Sequence, residues 1–188
     1  MVLISFIEIL YILVATLVVG YIFTGLFKIK TSKDVLDVYT GGFDWKEFRF
    51  ACLVAAPGII LHEMAHKFVA MGFGLTAQFY ISPFGLAIGI VLKFLGTGFM
   101  ILAPGYVMIS GASGIQSMIT ALSGPLINLA LWGLAFCFLK YKTNIPRNSA
   151  IFWTLTSHIN KWLFVFNILP IPPLDGAKVW IPLFQMIF

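Results

Sequence analysis

The heptapeptide Leu61-His62-Glu63-Met64-Ala65-His66-Lys67 brings two imidazoles and a carboxylate together within an otherwise apolar run. On a helix the two histidines stand about 6 Å apart along the axis and project from one face, which suits a shared tetrahedral ion. Glu63, one residue past His62, lies angled beside that face. From there it reaches a water at the ion without binding the ion itself. His-Glu-x-x-His on a helix is the arrangement of zinc-dependent hydrolases in which the glutamate is the general base. The chain has only three histidines, so chance is the weaker account of this spacing.

Two histidines leave a catalytic zinc one protein ligand short. His158 and Asp175 are the candidates for the third. His158 sits near the start of an apolar run and Asp175 just past its end, which puts them on opposite membrane faces. His62 and His66 fall late in their own run. If both runs are antiparallel to the one between them, Asp175 meets the histidines and His158 takes a headgroup or packing role. Pro170, Pro172 and Pro173 break the preceding helix and let the Asp175 carboxylate turn inward. The expectation is one zinc ion per chain on His62, His66 and Asp175, with water in the fourth position.

The elements that must position these groups are those of a membrane protein. Of the 188 residues 60% are apolar and 10% charged, and mean hydropathy is +0.99. That leaves too little polar surface for a water-facing globule. The net charge of +5 is scattered at the flanks of apolar runs, where it meets lipid headgroups, and is no nucleic-acid footprint. Cys52 and Cys137 lie in apolar runs and read as packing residues. Residues 1–27 hold Glu8 as their lone charge and no Lys or Arg, which reads as a retained anchor helix rather than a cleaved signal peptide. A polar segment from Lys28 to about Arg49 follows, with a turn at Gly41-Gly42. Further spans are expected over about 50–72, 115–139 and 150–169.

Between Gly72 and Ile115 the chain stays apolar but is dense in glycine and proline, which disfavours one clean helix. β-branched and aromatic residues over 78–92 fit a short hairpin with Pro83 at an edge or turn. Irregular backbone in lipid survives only against protein or a water-lined cavity. Of the seven acids four lie in 34–47, and Glu8 is expected near a membrane surface. Glu63 and Asp175 remain, and an ionised group at membrane depth costs about 3 kcal/mol or more unless it has work to do. Asn128 and Asn160 read as interhelical hydrogen-bond donors, Lys161 as a snorkelling side chain, and Lys67 as one that snorkels or balances the charge of the site.

The His62–His66 motif, taken with Asn167-Ile168-Leu169-Pro170-Ile171-Pro172-Pro173-Leu174-Asp175-Gly176, resembles the site-2 protease family of intramembrane zinc metalloproteases. Gly124-Pro125-Leu126-Ile127-Asn128 is similar to that family's third-helix G-x-x-x-N element. The resemblance covers about residues 50–178. It implies zinc on His62, His66 and Asp175, catalysis by Glu63, and a hydrogen-bonding role for Asn167 toward a substrate strand or the cavity; Asn167 is expected to bond either that strand or the loop carrying Asp175. It also implies a re-entrant β-hairpin that binds extended substrate, and an unpaired strand edge beside the zinc is expected within Ala77 to Leu92. Many relatives carry a second glycine after Asp-Gly, where this chain has Ala177 and Lys178. The connection over 140–149 is too short for an inserted regulatory domain.

The combined expectation is a single membrane-embedded domain over 1–188, with an anchor helix and polar loop over 1–49 and a catalytic core over 50–178. It is mainly α-helical, with about four to five transmembrane segments and a re-entrant β-hairpin region after the second. The expected activity is hydrolysis of peptide bonds within or near transmembrane segments of membrane proteins, by a multi-pass protein of the cell membrane. Its partners would be the lipid bilayer and a transmembrane substrate, not nucleic acid. The rival reading is a non-proteolytic zinc-binding scaffold or pseudo-enzyme, and Glu63, which binding alone does not need, favours catalysis. The motif by itself leaves open a lipid or small-molecule hydrolase. By the positive-inside rule, 28–49 and 140–149 face the cytoplasm; the resemblance implies the reverse, with the metal site near the cytosolic face, and that orientation is the one expected.

Overall fold

A computed structural model describes residues 3–26, 43–96 and 104–187, the last three of these by backbone alone. The helix α1 spans Phe6–Phe23 and α2 spans Trp45–Gly72. Strand β1 (Thr76–Ile81), helix α3 (Pro83–Phe94) and strand β2 (Gly105–Ser110) follow. Helices α4 (Gly114–Tyr141), α5 (Arg147–Asn167) and α6 (Asp175–Ile187) complete the described chain. The protein is thus a mainly helical membrane protein with a small two-stranded sheet. Among the described residues α1, α2 and α4 are long and apolar enough to cross a bilayer. At 28 residues each, α2 and α4 run about 42 Å, more than the hydrocarbon thickness.

Local sequence explains the boundaries. Ser5 and Glu8 form a capping box on α1, and Ser113 with Gln116 forms one on α4. Asp44 caps α2 by accepting the Lys46 and Glu47 N–H groups. The helix therefore begins at Trp45, five residues before the expected span. Most of the polar segment, including the Gly41-Gly42 turn, lies outside the described residues.

The sheet lies after the second helix, but not as a hairpin over 78–92. β1 pairs antiparallel with β2, in register Thr76↔Ser110 to Ile81↔Gly105, and α3 intervenes. The reason is Ser82-Pro83. The Ser82 hydroxyl accepts the Gly85 N–H and Pro83 takes the first helical turn, a helix start rather than a strand edge.

The core forms where α1, α2 and α5 meet: Val19, Ala55, Ala56 and Ile59 are buried, and Phe23, Ile159 and Leu163 pack on them. Gly20 allows α1 this close, because a Cβ there would collide with Cys52 Sγ. The opposite side of α1 exposes Phe6, Ile9, Leu13 and Leu17, as lipid contact requires. Two expectations change. Lys67 does not snorkel but is 1% exposed, in an ion pair with Glu8, itself 3% exposed. Cys137 is exposed rather than packed, while Cys52 is half-buried.

The Gly20–Cys52 contact is testable. Gly20→Ala should lower stability in detergent by about 1–3 kcal/mol, the usual cost of overpacking. Adding Cys52→Ala should recover most of that loss in a thermal unfolding assay. No recovery would mean that α1 and α2 do not meet there.

Candidate metal centre

Two elements converge on one point. His62 and His66 sit one turn apart on α2, buried at 6% exposure each, and Asp175 is the first residue of α6. The two Nε2 atoms are 3.1 Å apart, and Asp175 Oδ2 lies 2.9 Å from His62 Nε2 and 3.0 Å from His66 Nε2.

The outer ring nitrogens settle the tautomers. Asn128 Nδ2 donates to Gly58 O (3.0 Å) and to Asn160 Oδ1 (2.9 Å), so its Oδ1 is the atom 2.6 Å from His62 Nδ1. His66 Nδ1 is 2.7 Å from Thr120 O, which can only accept. Both Nδ1 atoms therefore carry hydrogen, so in its neutral form each imidazole turns an Nε2 lone pair toward the Asp175 carboxylate. Three mutually facing lone pairs in a buried site call for a cation. The donor set of two imidazole nitrogens and one carboxylate oxygen is that of catalytic zinc.

Each ligand has a local reason for its position. In α4, Pro125 has no N–H to give Ala121, interrupting the helix ladder next to Thr120, whose carbonyl meets His66. Gly124 faces the imidazoles, and a Cβ there would overlap His66 Nε2 and crowd His62 Cε1. Gly176 is pressed on the Ile168 and Leu169 carbonyls, where a Cβ has no room. Trp180 Nε1 donates to Ile168 O at 2.8 Å and ties α6 to the end of α5. The start of α6 adds its own preference for negative charge.

Beside the cluster opens a cavity of about 830 Å³. Glu63, Asn167, Lys178 and the whole of β2 up to Ile109 line it. Among the described residues the Glu63 carboxylate has no hydrogen-bond partner, and neither does the buried Thr120 hydroxyl. His158 is exposed, bonded to Thr154 O on its own helix and apart from the cluster. Asn167 does not hold the loop of Asp175; its amide donates to Leu163 O at 3.0 Å, and Trp180 makes the loop tie instead. Asn160, read only as an interhelical donor, proves to orient Asn128 and is itself held by Thr156 O. The signal was in the chain: two asparagines in apolar spans with no other obvious partner.

A protein of Methanocaldococcus jannaschii named "putative zinc metalloprotease" is 36% identical over 141 residues, which cover 72% of each chain. A Bacillus subtilis protein with the same description is 26% identical over 142 residues, 63% of this chain and 62% of its own length. No protein-family model matches.

The glycine contacts set an expectation for metal content. Purified protein should carry about one zinc per chain, and His62→Ala, His66→Ala or Asp175→Ala should remove it. Gly124→Ala should weaken zinc about tenfold or more by displacing the imidazoles, the scale of losing a supporting contact. Full zinc occupancy in a His66→Ala/Asp175→Ala protein would overturn the ligand assignment.

Proposed function

The chain belongs to the zinc metalloprotease family, and on that premise we propose that it is an intramembrane protease of the site-2 kind, multi-pass in the cell membrane. It would hydrolyse peptide bonds within or near transmembrane segments of membrane proteins. The observation that carries the reading is the placement of the cluster. A zinc-type donor set, an unpartnered Glu63 and a strand edge share one cavity within apolar helices.

His62, His66 and Asp175 would hold one zinc ion per chain. When bound, the ion supplies Lewis acidity, polarising a carbonyl and bringing the pKa of water down to about 7. Glu63 takes a proton from the attacking water and returns it to the leaving amine. Its lack of a competing partner leaves the carboxylate free for that transfer. Lys178, 4.0 Å from Asp175 Oδ1 and largely exposed, adds positive charge at the cavity mouth.

A transmembrane helix hides its carbonyls in its own hydrogen bonds, so substrate must unwind to be cut. The sheet suits the unwound segment, although the edge is β2 rather than the 77–92 stretch expected from the sequence. Phe79 N–H points away from β2 and Ser82 N–H bonds Pro104 O, which fixes the antiparallel alternation. The main-chain groups of Gly105, Val107 and Ile109 then face away from β1, and all three residues line the cavity. An extended substrate would pair there by strand addition. Asn167, which spends one amide hydrogen on Leu163 O, retains the other and its carbonyl for the same strand.

Cleavage of single-span proteins by the purified protein, stopped by a chelator and restored by zinc, is the direct test. Glu63→Gln should keep its zinc and lose about 10²–10⁴-fold in rate, the range of general acid–base catalysis. A wild-type protein that cuts nothing across a broad panel in lipid would favour a zinc-binding scaffold. The edge has its own test: Val107→Pro and Ile109→Pro should slow cleavage far more than alanine at the same positions, because proline removes a main-chain donor. Equal effects would point to side-chain recognition.

A further inference from the structure

The anchor helix carries a polar cluster that the proposed reaction does not use. Glu8 on α1, Lys67 on α2 and Phe79 on β1 are all 3% exposed or less. Glu8 Oε1 pairs with Lys67 Nζ and also accepts the Phe79 N–H at 2.8 Å. Its other oxygen accepts Ser5 N–H at 2.8 Å and the Ser5 hydroxyl at 3.0 Å. One carboxylate thus joins three elements. Lys67 directly follows His66, and Phe79 stands opposite Val107 in the sheet.

Two consequences follow from the geometry. The Phe79 N–H lies on the side of β1 away from β2, where a further strand would dock, and Glu8 occupies that donor. The β1 edge is capped at Phe79, and β2 is the edge on the cavity. Second, a two-stranded sheet has little stability by itself and takes its position from what it packs on. The Phe79 ring in turn fills the space beside Gly105, where a Cβ would strike it. A shift of Phe79 therefore moves β2 against α2, and with it the bond presented to the metal centre.

We propose that Glu8 is a positioning residue for the substrate strand: by accepting the Phe79 N–H it caps β1 and fixes the sheet's register beside the motif helix, so that one peptide bond is cut. This rests on the proteolytic reading above, and the test keeps the two apart. Glu8→Gln/Lys67→Met removes both charges but keeps an acceptor for Phe79 N–H. Glu8→Leu/Lys67→Met removes the charges and the acceptor. Apolar replacement of both members of a buried pair is commonly tolerated, so both proteins should fold and bind zinc.

The readouts are zinc content, hydrogen exchange across 76–81, and the masses of the cleavage products. The glutamine protein should match wild type in exchange at Phe79 and give the same single cut. The leucine protein should exchange at Phe79 about tenfold faster or more, as for a locally opened amide, and cut at neighbouring bonds as well. Should the leucine protein not fold, Phe79→Pro against Phe79→Ala asks the same question with Glu8 and Lys67 intact, since alanine keeps the N–H and proline removes it. Identical product patterns and exchange within either comparison would overturn the proposal. A wild-type protein without cleavage overturns the proteolytic reading, and the exchange data then decide the Glu8 tie independently.

Discussion

Two neutral imidazoles and a carboxylate that turn lone pairs toward one another repel unless positive charge lies between them, and the low dielectric of an apolar bundle magnifies both the penalty and its relief. Much of the structure serves to hold that arrangement in place. His62 is gripped from behind by Asn128, His66 by the Thr120 carbonyl, and Asp175 by the start of α6 and the Trp180 tie. Each support comes from a different position in the chain, so no single element can relax and let the three groups drift apart. The polar side chains scattered through apolar helices are accordingly not defects. Asn128 and Asn160 bond each other, the Gly58 and Thr156 carbonyls and His62, a connected path with no loose amide.

Holding such a network in lipid requires backbones to approach closely, because helices there gain nothing from excluding water and associate through packing and hydrogen bonds. Glycine appears where that approach is tightest. Gly58 leaves room for the Asn160 amide, Gly124 for the imidazoles, and Gly176 for two carbonyls. The G-x-x-x-N and Asp-Gly patterns thus have one physical content: a small residue admits a neighbour, and the polar residue beside it uses the space.

What could be read from the sequence follows from how local each constraint is. His62, Glu63 and His66 were legible because the helical period alone places them. Asp175 needed one step of topology, the sense of successive spans, and that step was short. The Glu8–Lys67 pair was not legible from any local pattern, since 59 positions separate the two. Charge arithmetic held a hint, however: Glu8 was the lone charge of its apolar run and Lys67 the lone base of its own, and opposite charges in lipid must find each other. The second strand was missed for a different reason. Residues 105–110 carry no clear apolar–polar alternation, and Pro83, which fits a strand edge or a turn, also makes a helix-start signature with Ser82. Asn167 lines the expected cavity but bonds its own helix, a choice that only local geometry decides.

The two edges of the sheet bear differently on the proposed chemistry. A strand edge in a membrane is costly, since its main-chain groups find no water in the hydrocarbon. On β1 the Glu8 carboxylate answers Phe79, and the cost is met within the protein. On β2 the outward groups of Gly105, Val107 and Ile109 face the cavity, where water or an added strand can answer them. An unwound transmembrane segment has the same need from the other side, because its released N–H and C=O groups also lack partners. Pairing the two cancels both deficits at once, through main-chain groups every residue possesses. Selectivity would then come less from side-chain pockets than from how readily a candidate helix unwinds. Spans interrupted by glycine, or by proline with its already broken ladder, give up the fewest hydrogen bonds on extension and would be the preferred substrates.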